Sequence, residues 1–173
     1  YTNCSAPLNT AETFIAMEAY YGELRLPQLP DMCRSLLLPR ERFPAQPISG
    51  LKEDISRAYR RVRLTPSSCL RMVLQLPPTA EGITYHAIRL SQPFGHNASA
   101  HEWGFVARAL EFRLRGIQHP VSSLGLFGMY VDDLYAFAPE DYLRKLSAVF
   151  ADASQVAGVG ARAVEKSAIQ RTF

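Results

Sequence analysis

The chain has 173 residues, 47% of them apolar, which is enough hydrophobic material for one domain with a sizeable core. Its formal net charge of +3 is compatible with a polyanionic partner without requiring one. Composition excludes a disulfide scaffold, because Cys4, Cys33 and Cys69 are odd in number and widely spaced, and it excludes a helical membrane span, because no stretch approaches the roughly eighteen uncharged apolar residues a span needs. There is no internal repeat, low-complexity tract or basic-then-apolar leader, so the expectation is a soluble protein with no membrane partner, in a reducing intracellular compartment, cytoplasmic or nuclear. An opening at Tyr1 and an ending in "SAIQRTF" predict a piece of a longer protein.

In chain order, "NTAETFIAMEAYYGEL" predicts a helix from Thr10 to about Tyr21, which Gly22 can end. "LPDMCRSLLLP" predicts a second, shorter helix stopped by Pro39. "ISGLKED" reads as a strand, and after it Ile55, Ala58, Tyr59 and Val62 fall at i, i+3, i+4 and i+7, the stripe of a short amphipathic helix. Between Arg40 and Arg71 lie Arg40, Arg42, Lys52, Arg57, Arg60, Arg61, Arg63 and Arg71 against Glu41, Glu53 and Asp54, a candidate electrostatic footprint for nucleic acid. "LRMVLQL" and "ITYHAIRL" predict a strand pair around a Pro77-Pro78 loop. Ser99-Ala100-His101-Glu102 has the pattern of a capping box, opening a helix whose apolar face holds Trp103, Val106, Ala107, Leu110 and Leu114, with Gly116 at its end. "GMYVDDLYAF" predicts a β-hairpin, and Pro139-Glu140-Asp141 starts a last helix with Leu143, Leu146, Phe150 and Ala153 on one face and Gly158 as its stop. This order predicts an α+β fold, a mostly antiparallel sheet with helices packed on one face.

The hairpin is locally odd. A two-residue turn favours Asn-Gly, Asp-Gly or a leading Gly, and Val131-Asp132-Asp133 offers none of these. Its plain reading is a solvated turn. Its functional reading depends on Asp54, which ends a strand: if that strand neighbours the hairpin, three carboxylates converge, a costly arrangement unless a cation sits among them. Hard oxygen donors in that number suit Mg²⁺, which takes few protein carboxylates alongside substrate phosphates and water.

"LKEDISRAYRRVRL", followed by "FGHNASA" and then "YVDD", resembles the palm of a reverse transcriptase, closest to those of retroviruses and LTR retrotransposons. "LPQLPDMCRSLLLP" is similar to the segment that leads that family into its first catalytic strand, and "GVGARAVEKS" to the lysine-bearing segment after the palm's last helix. The resemblance runs from about Leu26 to the end, and YVDD is its most specific element. It implies a polymerase palm of the ferredoxin-like split βαβ type: residues 1–47 partial fingers and the approach to the palm, residues 48–173 palm with a fingers segment at about 64–92, and the thumb and any ribonuclease H domain absent.

The resemblance further implies an RNA-directed DNA polymerase that uses an RNA or DNA template with a primer, deoxynucleoside triphosphates and two Mg²⁺ ions, with Mn²⁺ able to substitute. Asp54, Asp132, Asp133 and Lys166 would be catalytic, and Asp54, the backbone carbonyl of Ile55, Asp132 and Asp133 would contact metal. Arg57, Ala58, Tyr59, Phe94 and Gly95 would line the nucleotide site, and Arg60, Arg61, Arg63 and Tyr130 would meet template or primer. Tyr59 reads also as a buried-stripe aromatic, and the plain reading of Lys166 is a surface lysine. The loop after Gly95 lacks the family's proline behind its small residue, so His96, Asn97 and Ser99 receive no assigned contact. A rival reading keeps the fold and drops the chemistry: a catalytically inactive or domesticated module that binds nucleic acid or protein.

Overall fold

The computed structural model describes residues 11–116, 126–159 and 168–171. The fold is α+β with two antiparallel sheets: a four-stranded sheet in the order β4-β5-β1-β6, and a two-stranded ribbon. The elements are α1 (Ala11–Tyr21), α2 (Leu29–Arg42), β1 (Ser49–Asp54), α3 (Ala58–Arg61), α4 (Pro66–Arg71), β2 (Val73–Gln75), β3 (His86–Ile88), α5 (Asn97–Gly116), β4 (Phe127–Tyr130), β5 (Asp133–Ala138), α6 (Glu140–Val156) and β6 (Ala168–Arg171). None of the described helices is long and apolar enough to cross a membrane. The chain divides into two compact units, one of residues 24–56 and 104–173, the other of residues 1–23 and 57–103.

The first unit holds the four-stranded sheet. Strand alternation puts Ser49, Leu51 and Glu53 on one face, opposite Ala138, Ala136 and Leu134 of β5. All six are buried, and α6 packs against β1 and β5 on that face through Leu143, Leu146, Phe150 and Ala153. Glu53 is a charged residue among these apolar ones, and the Ser147 hydroxyl of α6 donates to its Oε1 at 2.6 Å. The opposite face carries Gly50, Lys52 and Asp54 beside Phe137, Tyr135 and Asp133. Helix α2 meets β5 on that second face, where Ser35 and Tyr135 line one pocket, so helices are not confined to one side. The Tyr135 ring lies across Gly128 of β4, where a Cβ would fall 2.6 Å from its Cζ; only glycine leaves room for it.

Several boundaries differ from expectation for local reasons. Helix α2 does not stop at Pro39 but runs on to Arg42: Pro39 is buried, and its carbonyl still receives the Phe43 N–H at 2.8 Å. The stripe from Ile55 to Val62 is not one helix, because Arg57 stands at φ 58 in the left-handed region and leaves α3 a single turn. Helix α5 begins at Asn97, ahead of the anticipated cap. Ser99 is instead buried inside its first turn, with its hydroxyl donating to the Pro93 carbonyl at 2.7 Å and Gln92 Oε1 a second acceptor for the same proton at 3.1 Å.

In the second unit β2 and β3 pair as anticipated, Val73 opposite Ile88 and Gln75 opposite His86. Glu102, the other half of the anticipated cap, accepts from the Tyr21 hydroxyl at 2.9 Å and from the Gln92 side-chain amide. Burial and this hydrogen bond to a carboxylate push the Tyr21 phenol up to about 12. The folded state then holds its proton more tightly than the unfolded chain, whose tyrosine releases near 10. Stability in urea unfolding is expected to be level below pH 10 and to fall as pH rises from 10 towards 12, with a smaller fall in Tyr21→Phe. An equal fall in that variant would assign the loss to other groups.

Candidate active site

The site is built on the end of the two central strands. Asp54 closes β1 and pairs directly with Asp133, which opens β5. The pairing continues past the ladder, where the Ile55 N–H donates to the carbonyl of Asp132 at 3.2 Å. Asp54 and the two hairpin aspartates are therefore brought to one end of the sheet by backbone register alone.

The hairpin turn is Val131-Asp132, between the paired residues Tyr130 and Asp133. Val131 has φ 59. A positive φ at the first turn residue only is the type II′ pattern, which normally asks for glycine there. A β-branched residue in that region is a genuine outlier, strained by about 1–3 kcal/mol. Val131 and Arg57 are the two non-glycine residues at positive φ among the described residues, and each lies within three positions of an expected catalytic aspartate. Strain of this kind persists where surrounding structure over-determines it, and such places cluster at functional sites.

The electrostatics follow from the register. Asp54 is 8% exposed, so its charge is largely withdrawn from water. Lys52, two residues earlier on the same face of β1, reaches diagonally to Asp133, with Nζ 2.9 Å from Oδ2. Its hydrogen bond to Asp133 foremost, with the charges of Asp133, Asp54 and Asp132, holds the Lys52 ammonium above the usual lysine range. The other Asp133 oxygen, Oδ1, is buried without a hydrogen-bond partner among the described residues. Behind the pair the second sheet face opens into a cavity of about 410 Å³ lined by Met32, Lys52, Tyr130, Tyr135 and Phe137 among others.

The donor set passes a test for a hard divalent cation in one respect. Its oxygens are carboxylates at a single sheet end, and one of them, Asp133 Oδ1, is buried without a hydrogen-bond partner among the described residues. No group of three or more His, Cys, Asp or Glu side chains among the described residues is arranged to hold a metal ion. Asp54 and Asp132 stand at the same sheet end, joined through the backbone bond from the Ile55 N–H to the Asp132 carbonyl, and one or two protein carboxylates completed by phosphates and water is the ordinary requirement of Mg²⁺.

Of the other anticipated residues, Tyr130 is exposed at the end of β4 beside the hairpin. Arg57, Ala58, Tyr59, Arg60, Arg61, Arg63, Phe94 and Gly95 belong to the second unit. There the Tyr59 ring meets that of Phe94 edge-on, with centroids 5.4 Å apart, and Phe94 is 72% exposed. Gly95 adopts φ 82, a conformation that suits glycine. Ala58 is buried, and the four arginines are exposed. Lys166 lies outside the described residues. Sequence reasoning missed Lys52 as a partner of Asp133, although period-2 alternation alone sets it on the face of Asp54. It also missed the link from Tyr21 through Glu102 to Gln92, which no local spacing reveals.

No protein-family model matches the chain, and no curated protein matches it significantly.

Proposed function

We propose that this chain is the palm and part of the fingers of a reverse transcriptase, an RNA-directed DNA polymerase that extends a primer on an RNA or DNA template. The observation that supports this best is the pairing of Asp54 with Asp133 beneath a strained turn carrying Asp132. A solvated turn would have no need to hold a valine at positive φ, and the arrangement suits a tip fixed for what it presents.

In this reading Asp54 and Asp132 would hold two Mg²⁺ ions, with the Ile55 carbonyl as a further contact and Asp133 in support. When bound, the ions acidify the primer 3′-hydroxyl and neutralise charge on the triphosphate. The primer 3′-hydroxyl gives its proton to solvent water as its oxygen forms a bond to the α-phosphorus, the bond from that phosphorus to the bridging oxygen breaks, and pyrophosphate leaves. The protein's own part is mostly placement. Asp54 is fixed by a central strand, and Asp132 by a turn bonded to Ile55 through its backbone. Arg60, Arg61 and Arg63 offer charge to the phosphate backbone, which contributes affinity and no sequence preference. Lys166 is assigned to protonating the leaving pyrophosphate.

Tyr59 is assigned to the sugar. Its ring is held against Phe94 and would occlude a 2′-hydroxyl, selecting deoxynucleotides by steric contact. The test is templated incorporation by the natural full-length protein, with Mg²⁺, a primed RNA template and either deoxy- or ribonucleoside triphosphates. Wild type is expected to add the templated deoxynucleotide. Tyr59→Val is expected to raise ribonucleotide use relative to deoxynucleotide by about ten- to a hundredfold. Failure of the wild type to add any nucleotide would favour a binding module that has kept the fold without synthesis, and an unchanged ratio in Tyr59→Val would remove Tyr59 from the sugar site.

A further inference from the structure

Gln92 is 3% exposed, a polar side chain of a kind that is mostly found at the surface and, when enclosed, needs hydrogen-bond partners. We infer that Gln92 is a positioning residue of the nucleotide site, a buried clasp that fixes the loop carrying Phe94 and so holds that ring against Tyr59; this rests on the polymerase reading above.

The clasp grips the loop at both ends, within the second unit. Before the loop, the Gln92 N–H donates to the Val62 carbonyl at 3.0 Å and the Leu64 N–H to the Leu90 carbonyl at 3.1 Å. These bonds join the stretch to the backbone that follows α3, the helix of Tyr59. Beyond the loop, the Gln92 side chain reaches the start of α5, where its amide donates to Glu102 Oε2 and its Oε1 lies 3.1 Å from the Ser99 hydroxyl. That hydroxyl donates to the Pro93 carbonyl at 2.7 Å, which ties down the first residue of the loop. The amide can face only one way, because a carboxylate accepts and the NH₂ end must turn to it. Glu102 is itself held by the Tyr21 hydroxyl at 2.9 Å. Residues 93–96 therefore run between anchored ends.

Phe94 depends on that anchorage. Its side chain is largely exposed, so its place against Tyr59, with centroids 5.4 Å apart, is set mainly by the backbone that carries it. A loop released at Gln92 would let the Phe94 ring swing and free the Tyr59 ring that is assigned to the sugar. Gln92 thus acts on selection through the loop. Its partners can also be exchanged: in Gln92→Glu with Glu102→Gln an amide still donates to a carboxylate, Ser99 keeps its second acceptor and Tyr21 finds an amide oxygen. Gln92→Glu alone sets two carboxylates against each other in a buried place.

The experiment is templated single-nucleotide incorporation by the natural full-length protein with Mg²⁺, using deoxy- and ribonucleoside triphosphates, with folding followed by circular dichroism. Gln92→Glu is expected to raise ribonucleotide use relative to deoxynucleotide about three- to tenfold, and to raise the deoxynucleotide KM about fivefold with kcat within about twofold. The exchanged double variant is expected to return both quantities to within about twofold of wild type. Should Gln92→Glu fail to fold, Gln92→Met removes both side-chain bonds at similar length, and the same rise in the ratio is expected. A folded Gln92 variant with an unchanged ratio overturns the inference and leaves the polymerase reading standing. A double variant that stays as impaired as Gln92→Glu also overturns it, because the effect would then not run through the bond to Glu102. Failure of the wild type to add either nucleotide removes the polymerase reading, and this inference with it.

Discussion

Replacing Asp54 or Asp132 by Asn is expected to reduce templated primer extension by about three orders of magnitude or more while leaving the sheet folded. Asparagine keeps the size and one oxygen of the carboxylate but removes the charge that would hold a divalent cation. The two positions are opposite in their local setting: Asp54 is a buried residue of a central strand, and Asp132 is a half-buried residue of a tight turn. A shared loss would therefore reflect shared chemistry and not shared packing. Folding is expected to survive because each substitution takes one charge out of a cluster of three, which lessens repulsion at that sheet end. The thermal midpoint of either variant, followed by circular dichroism, is expected to equal or exceed that of wild type. Extension retained in either variant would remove that residue from the reaction.

Leu134→Ala is expected to destabilise the protein by about 2–5 kcal/mol, a large share of the roughly 5–15 kcal/mol available to an ordinary domain. Leu134 is fully buried, one residue beyond Asp133, paired with Glu53 on one side and Met129 on the other. Its side chain points to the α6 face, so truncation opens a cavity beneath the base of the hairpin. Urea unfolding monitored by tryptophan and far-ultraviolet signals measures the loss. A cost under about 1 kcal/mol would mean that the layer of β5 and α6 collapses around the gap or is not packed as described.

The parts of the fold that were legible in sequence are those in which one local signal sufficed. Pro139 with Glu140 and Asp141 marks the start of α6, and Leu143, Leu146 and Phe150 mark its buried face. The β4–β5 hairpin was legible from its two short apolar runs, and its odd turn was legible as a conflict between residue type and turn geometry, which Val131 at φ 59 bears out. Where two signals competed, tertiary context decided. Pro39 reads as a stop, yet its ring is buried and α2 continues past it. Ser99 and Glu102 read as a cap, yet their side chains bond to Gln92, Pro93 and Tyr21. Thr65-Pro66 was a usable signal that went unread: the Thr65 hydroxyl accepts from the Ser68 N–H at 3.3 Å and starts α4. Strand β6 gives little local signal, because among the described residues its four positions pair with β1 alone.

The candidate site was legible as a list of residues but not as a set of relations. That Asp54 and Asp133 face each other is a matter of register, which nothing between residues 54 and 133 specifies locally. The Lys52–Asp133 pair depends on the same register, since a slip of one residue would move the lysine to the other sheet face.

The most direct test of the central claim is the binding of Mn²⁺ to the wild-type chain and to Asp132→Asn, each with a short primer-template and a deoxynucleoside triphosphate. Saturable binding by the wild type, weakened at least about tenfold by the substitution, is the predicted result. Binding that is absent from the wild type, or indifferent to the substitution, would contradict the assignment of these carboxylates to a polymerase metal site.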